Sequence, residues 1–338
     1  MIRLSPAAAW VAVGLACVVL GGCPPKPRLC PDTVYTVEDL VAQNNANAAK
    51  VPQLRARAEL IRVKYTNEQN QSKEYSLEGT LDLKKALGDP FGTQDFMLRG
   101  KLGLGAEVFR LGTDAKNQLF YLRIQVLGEK GDTRGCWGRT ADLPGLQTAS
   151  TGKQGGISGF DPAQLLTVLG VMPWPTDFDT VLSNELSDIC AYEVQFLGPR
   201  PGGGVRLVRK VWLDRYEPSH PPTRVQLYDS LGRVAMDARL GKYRAIQTAD
   251  PKEQWPVMPT DIQASWPLAK FSMRLVFTDP DGLLTGGGET RSLTTLENAT
   301  MPPTGFDVKA VAPEMLDLPQ MGLQGQMQPT GESEVGKN

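Results

Sequence analysis

Apolar and polar residues alternate along most of this chain. From Ala58 the period is two: Glu59-Leu60-Ile61-Arg62-Val63-Lys64-Tyr65 is followed by Leu77, Gly79, Leu81 and Leu83 between polar neighbours, the pattern of half-buried strands. Phe96, Leu98, Gly100 and Leu102 alternate with Met97, Arg99 and Lys101, and Val108 to Leu111 and Leu119 to Ile124 follow after short turn sequences. Five strands joined by short connections must be antiparallel, because parallel neighbours need a long crossover. Two stretches break the rhythm with helical spacing. Thr36 precedes Val37-Glu38-Asp39 as an N-cap with acids in the first turn, and Val37, Leu40 and Val41 predict a helix over 37–50 that is polar on the side of Asn44, Asn45 and Asn47. Asp161-Pro162 opens a second, short and strongly apolar helix through Leu165, Leu166, Val168 and Leu169, closed by Gly170 and Pro173. Strands then resume at Ile189 to Leu197, Val205 to Leu213, Thr223 to Tyr228, Arg233 to Ala238 and Leu268 to Thr278, with Asp279-Pro280-Asp281-Gly282 read as a closing turn. The chain is thus mainly β with a few helices, a curved antiparallel sheet whose inner residues are large and aliphatic.

The N-terminus has a different pattern. Met1 to Arg3 form a short positive region, Ala7 to Leu20 an unbroken apolar run, and Leu20-Gly21-Gly22-Cys23 ends it, the layout of a cleaved export signal. The run falls short of the roughly 20 apolar residues that a spanning helix needs. Leu20-Gly21-Gly22-Cys23 resembles the lipobox of bacterial lipoproteins, which makes residues 1–22 a signal peptide and Cys23 the lipidated N-terminus. Several acyl chains on Cys23, each contributing about 0.8 kcal/mol per buried methylene, give a lasting tether. The proline-dense segment 23–33 reads as an extended linker. Residues 34–315 form the folded domain, and the Met-, Gln-, Gly- and Pro-rich residues 316–338 are expected to be disordered.

Composition narrows the function. With 36 Lys+Arg against 37 Asp+Glu, net charge −1, the chain has no basic footprint for nucleic acid. Of five cysteines, Cys17 leaves with the signal and Cys23 is lipidated. In an oxidising compartment, Cys136 and Cys190 lie in strand-like stretches and form the candidate disulfide with Cys30 free, or both are buried thiols. His220 is the single histidine, in Pro218-Ser219-His220-Pro221-Pro222, so a two-histidine metal site is excluded and a histidine-based hydrolase would have to use this turn residue. Asp279 to Gly282 lacks the spacing of a calcium loop. The expectation is no catalytic residue, no metal and no cofactor.

A sheet curled partly around a helix leaves an apolar interior that the helix plugs or an acyl chain fills. The candidate lining is Leu98, Leu102, Phe109, Leu111, Leu165, Leu166, Leu169, Val211 and Leu213. Two stretches, Phe96 to Gly112 with Phe120-Tyr121-Leu122, and Val211-Trp212-Leu213-Asp214-Arg215 through Gly232-Arg233 to Tyr243-Arg244, together with the order of elements behind a lipobox, resemble the LolA/LolB-type family of lipoprotein carriers and receptors. The resemblance implies an unclosed β-barrel capped by helices and a non-enzymatic protein of the bacterial envelope. It would face the periplasm, held by lipid to the inner or the outer membrane, and bind acyl chains or lipoproteins. It also implies, for Phe91, a membrane-dipping loop tip, where the residues alone suggest a partly buried loop aromatic. The alternative is a structural envelope lipoprotein with a filled barrel.

Overall fold

A computed structural model describes residues 29–66, 70–85, 94–102, 106–125, 133–139, 162–176, 180–200, 202–246, 251–252 and 255–281. Residues 1–22, read as a signal peptide, Cys23, Phe91 and residues 316–338, expected to be disordered, lie outside the described residues. The chain divides into two compact units, Met1–Thr33 and Val34–Asn338. Residues 29–33 of the first carry no helix or strand.

In the second unit, helix α1 (Val37–Ala49) starts at a complete capping box, in which the Thr36 hydroxyl accepts from the Asp39 N–H and the Asp39 carboxylate accepts from the Thr36 N–H. Six strands follow: β1 (Gln53–Thr66), β2 (Ser72–Lys84), β3 (Asp95–Leu102), β4 (Ala106–Asp114), β5 (Leu119–Gln125) and β6 (Thr133–Arg139). Helix α2 (Pro162–Val168) interrupts the series. Then come β7 (Thr180–Leu186), β8 (Ala191–Pro199), β9 (Val205–Asp214), β10 (Pro222–Tyr228), β11 (Val234–Ala245), β12 (Val257–Trp266) and β13 (Phe271–Asp281).

All thirteen strands belong to one antiparallel sheet in the order β6-β5-β4-β3-β2-β1-β13-β12-β11-β10-β9-β8-β7. Two meanders therefore run outward from one central seam, where β1 pairs with β13. β6 and β7 are the two ends of the strand order and do not pair with each other, so the barrel is unclosed. Alternation sorts the faces. Ile61, Val63, Leu81, Leu83, Leu98, Leu111, Val194, Val211, Ile262 and Leu275 are wholly buried in a single core. The opposite face carries cross-strand ion pairs such as Arg224 on Asp237 (2.9 and 2.7 Å) and Arg274 on Asp261 (3.1 and 2.9 Å).

Gly79 and Gly100 face each other across β2 and β3. A Cβ on Gly79 would lie 1.8 Å from the Arg99 carbonyl oxygen and 2.8 Å from Ile61 Cδ1, and one on Gly100 would lie 2.7 Å from Leu77 Cδ1. Only glycine permits this close approach of backbones and the packing of Ile61 and Leu77 over it.

The structure corrects several expectations. Leu102 is 42 % exposed and lies outside the apolar face. The β3–β4 ladder shifts register between Gly100 and Lys101, so the inward series Phe96, Leu98, Gly100 ends before it reaches Leu102, which pairs with Ala106 at the hairpin end. The segment Asp279 to Asp281 is not a turn: β13 continues through it, with Asp281 opposite Arg55. Cys30, expected to be free, is disulfide-bonded, as is Cys190. Cys190 sits not in a strand but at the end of a turn, at φ 48°. The side chain of Cys136 lies outside the described residues.

Replacing Gly79 with alanine forces the β2–β3 backbones apart. A loss of about 1–3 kcal/mol in urea unfolding is expected, and an unchanged midpoint would contradict the close approach.

Candidate functional site

The candidate site is the concave face and the segments that cover it. Leu98, Phe109 and Leu111 from β3 and β4 and Val211 and Leu213 from β9 belong to the same core as Leu165, Leu166 and Leu169. Helix α2 belongs to that core and touches β4, β5 and β11. Its leucines and Val168 give it an apolar surface that must rest on other apolar surface. Leu165, Val168 and Leu169 are wholly buried, and Leu166 is nearly so. One polar side chain of the helix goes in with them. The Trp266 indole N–H donates to Gln164 Oε1 at 2.8 Å, so both buried groups are satisfied. After Gly170, at φ 69°, the chain runs over the face to Trp174, whose ring meets Phe196 edge-on at 5.6 Å.

Helix α1 holds this covering segment in place through its asparagines. Asn45 donates to the Trp174 carbonyl (3.0 Å) and accepts from the Trp174 N–H (2.7 Å), the two-point pairing a backbone strand would make. Asn47 treats Val257 the same way (3.0 and 2.8 Å) and also donates to the Gly170 carbonyl at 3.3 Å. Asn44 reaches the Met172 carbonyl at 3.4 Å. The face read as polar is therefore a half-buried joint that satisfies backbone groups with no ladder partner. At the far end of α1, Lys85 donates to the Ala48 carbonyl, and burial lowers its pKa to about 8.

His220 belongs to the same joint. It lies between β9 and β10 as the prolines predict, yet it is only 6 % exposed and adopts φ 42°. Its Nδ1 is 3.0 Å from Gln43 Oε1, while Gln43 Nε2 donates to the Pro218 carbonyl at 2.9 Å. The ring lies 4.4 Å from Tyr35 and 5.7 Å from Tyr192. The Tyr35 N–H donates to the Tyr192 hydroxyl at 3.3 Å, and Arg215, ion-paired with Glu185 at 2.9 Å, lies over the Tyr192 ring. Burial pushes His220 below its ordinary 6.5, Asp214 opposes this, and Arg215 reinforces it.

Sequence reasoning missed Arg209. It occupies the inward register of β9, opposite Phe196 on β8 and Leu227 on β10. Its guanidinium lies 5.6 Å from the Phe196 ring centre, and its Nε is buried without a hydrogen bond. The signal was present in the order Val205, Leu207, Arg209, Val211, Leu213, a cation in an otherwise apolar alternation.

No family model matches the chain, and no curated protein matches it in sequence. Solved structures do. An outer membrane lipoprotein-sorting protein domain from Vibrio parahaemolyticus is 12% identical, covering 76% of this chain and 97% of its own, at a TM-score of 0.42. A DUF1329 family protein from Desulfovibrio piger is 11% identical over 76% and 96%, at 0.43. A LolA superfamily protein from Nitrosomonas europaea is 10% identical over 73% and 93%, at 0.38. At these values neither ligand nor activity passes from them to this chain.

Removing the Asn47 amide with Asn47→Ala leaves the Val257 N–H and carbonyl without their partner. A loss of about 1–3 kcal/mol in chemical unfolding is expected, and a neutral effect would show that the joint carries no load. For His220, the unfolded chain takes up a proton before the folded one does, so its contribution is present above about pH 6.5 and is lost as pH falls below that. The melting temperature of the wild type should therefore drop more steeply between about pH 7 and pH 5 than that of His220→Asn, a residue that tolerates the left-handed backbone. Parallel curves for the two would refute a neutral, buried His220.

Proposed function

We propose that this protein is a non-enzymatic bacterial envelope lipoprotein, tethered through acylated Cys23, that holds an acyl chain or the lipid part of a lipoprotein against its concave face. The observation that supports the reading is the face itself. An open thirteen-stranded sheet presents a continuous apolar surface, and its cover is a seven-residue helix with its following strap, clipped on by amide hydrogen bonds. A cover of that kind is separable from the sheet in a way a closed barrel wall is not. No described helix is long and apolar enough to cross a membrane, and a lipid on Cys23 would supply the attachment.

One observation favours a second reading. Leu165, Val168 and Leu169 are wholly buried, which is what a permanent plug would show, and the protein would then be a scaffold with a filled interior.

The two readings separate on one experiment. The full mature chain with Cys23→Ser, freed of lipid, is titrated with a fluorescent fatty acid and examined by native mass spectrometry as purified. Saturable uptake and copurified lipid are expected. Absence of both would leave the plugged scaffold. Incorporation of labelled palmitate by the wild type and not by Cys23→Ser checks the anchor.

A further inference from the structure

Many of the described arginines are neutralised by a carboxylate. Arg55 and Arg99 share Asp82, Arg110 has Glu107, Arg215 has Glu185, Arg224 has Asp237, Arg233 has Asp229 and Arg274 has Asp261. Arg209 makes no ion pair among the described residues. The β9 neighbour Lys210 faces the other way, 3.0 Å from Glu193 and 5.7 Å from the Trp212 ring centre, so that Glu193 is committed to the outer face. Arg209 turns inward, over Phe196 and beside Leu227, with Trp174 of the strap edge-on to the same Phe196. Arg209 is half-buried, its Nε is enclosed without a hydrogen bond, and no hydrogen bond joins the rest of its guanidinium to the described residues. Enclosing even part of a cation with neither counter-charge nor acceptor is costly to fold around. Burial lowers its pKa to about 10, and no neighbouring carboxylate offsets that; it stays charged at neutral pH.

The chemistry that answers such a group is an anion presented from the apolar side. A guanidinium donates two parallel hydrogen bonds to a carboxylate or a phosphate, and the pairing strengthens where water is scarce. We infer that Arg209 is the head-group residue of the concave face, binding the carboxylate or phosphate of an anionic amphiphile whose hydrocarbon chain lies along the apolar strands. The inference rests on the acyl-chain reading above and adds to it a polarity: the head sits at β8–β10, by the Trp174 strap, and the tail runs toward the interior. The Phe196 ring lies under the guanidinium at 5.6 Å, and Trp174 packs edge-on against that ring.

The test compares three probes of one chain length, dodecanoic acid, dodecyl phosphate and dodecanol, by calorimetric titration of the full mature chain carrying Cys23→Ser. Each is run with Arg209 intact, with Arg209→Gln and with Arg209→Lys. Either acidic probe should bind the intact site at least about tenfold more tightly than the alcohol, and the tighter of the two names the head group. Arg209→Gln should weaken the acidic probes by about tenfold or more and leave the alcohol within about twofold, while Arg209→Lys restores part of the difference. The melting temperature of Arg209→Gln should equal or exceed that of the parent, because an orphaned buried cation is removed; a structural arginine would give a fall. Equal binding of acid and alcohol, or acid binding untouched in Arg209→Gln, overturns the Arg209 assignment and leaves the acyl-chain reading standing. Failure of all three probes to bind the intact protein overturns the acyl-chain reading itself, and the head-group assignment with it.

Discussion

A sheet that does not close on itself has an apolar face that something outside the sheet must cover. Everything peculiar to this protein follows from that constraint. The β1–β13 seam brings the two meanders together and leaves their far strands, β6 and β7, unpaired with each other. The chain between those two strands includes α2 and its strap, so the covering element is built into the connection that the topology already requires. Four side chains of α2 and the residue after it, Leu165, Leu166, Val168 and Leu169, contribute about 1.5–3 kcal/mol each on full burial. The asparagine contacts contribute about 1 kcal/mol each at most. Burial therefore holds the cover on the face, and the amides decide where on the face it sits.

The alternation along the chain made the inner and outer faces legible, because a period of two admits one assignment once a few positions are buried. What it hid were the places where backbone geometry departs from that period. Leu102 looked inward until the register shift beside Lys101 is taken into account. β12 was invisible because Pro259 interrupts it, although Pro259 is accommodated opposite Tyr243 within the ladder. The strand-like look of Cys190 came from its neighbours, while its own backbone is left-handed. That Leu98, Phe109, Leu111, Val211, Leu213 and the leucines of α2 are buried together was readable from hydrophobicity alone. Asn44, Asn45 and Asn47 were not, since an amide on a helix surface looks the same in sequence whether it faces water or a backbone strap.

Charge is distributed by the same logic. On the outer face, partly exposed pairs such as Arg274 with Asp261 are worth little individually, and they chiefly keep the exterior of an unclosed sheet soluble and unattractive to other strand edges. On the inner face, one uncompensated arginine has a much larger effect on what the surface accepts. Under the head-group assignment proposed above, a neutral hydrocarbon would be a poorer fit than an anionic amphiphile, because only the latter would give the cation a partner.

Whether a ligand can enter then turns on a comparison of like terms. An acyl chain gains about 0.8 kcal/mol per methylene taken from water, so a chain of roughly a dozen to sixteen carbons gains about 10–13 kcal/mol. That is of the same order as the burial of the four α2 side chains it would displace, about 6–12 kcal/mol together. Exchange of helix for lipid is therefore close to balanced on apolar terms. Under the proposed function, small polar contributions would tip the balance: the amide clips of Asn45 and Asn47 favour the covered state, and an anion on Arg209 would favour the occupied one. A protein tethered at Cys23 and built this way would take up or give up lipid in response to its local supply, and its affinity would be set by a few hydrogen bonds at the rim of a large apolar surface.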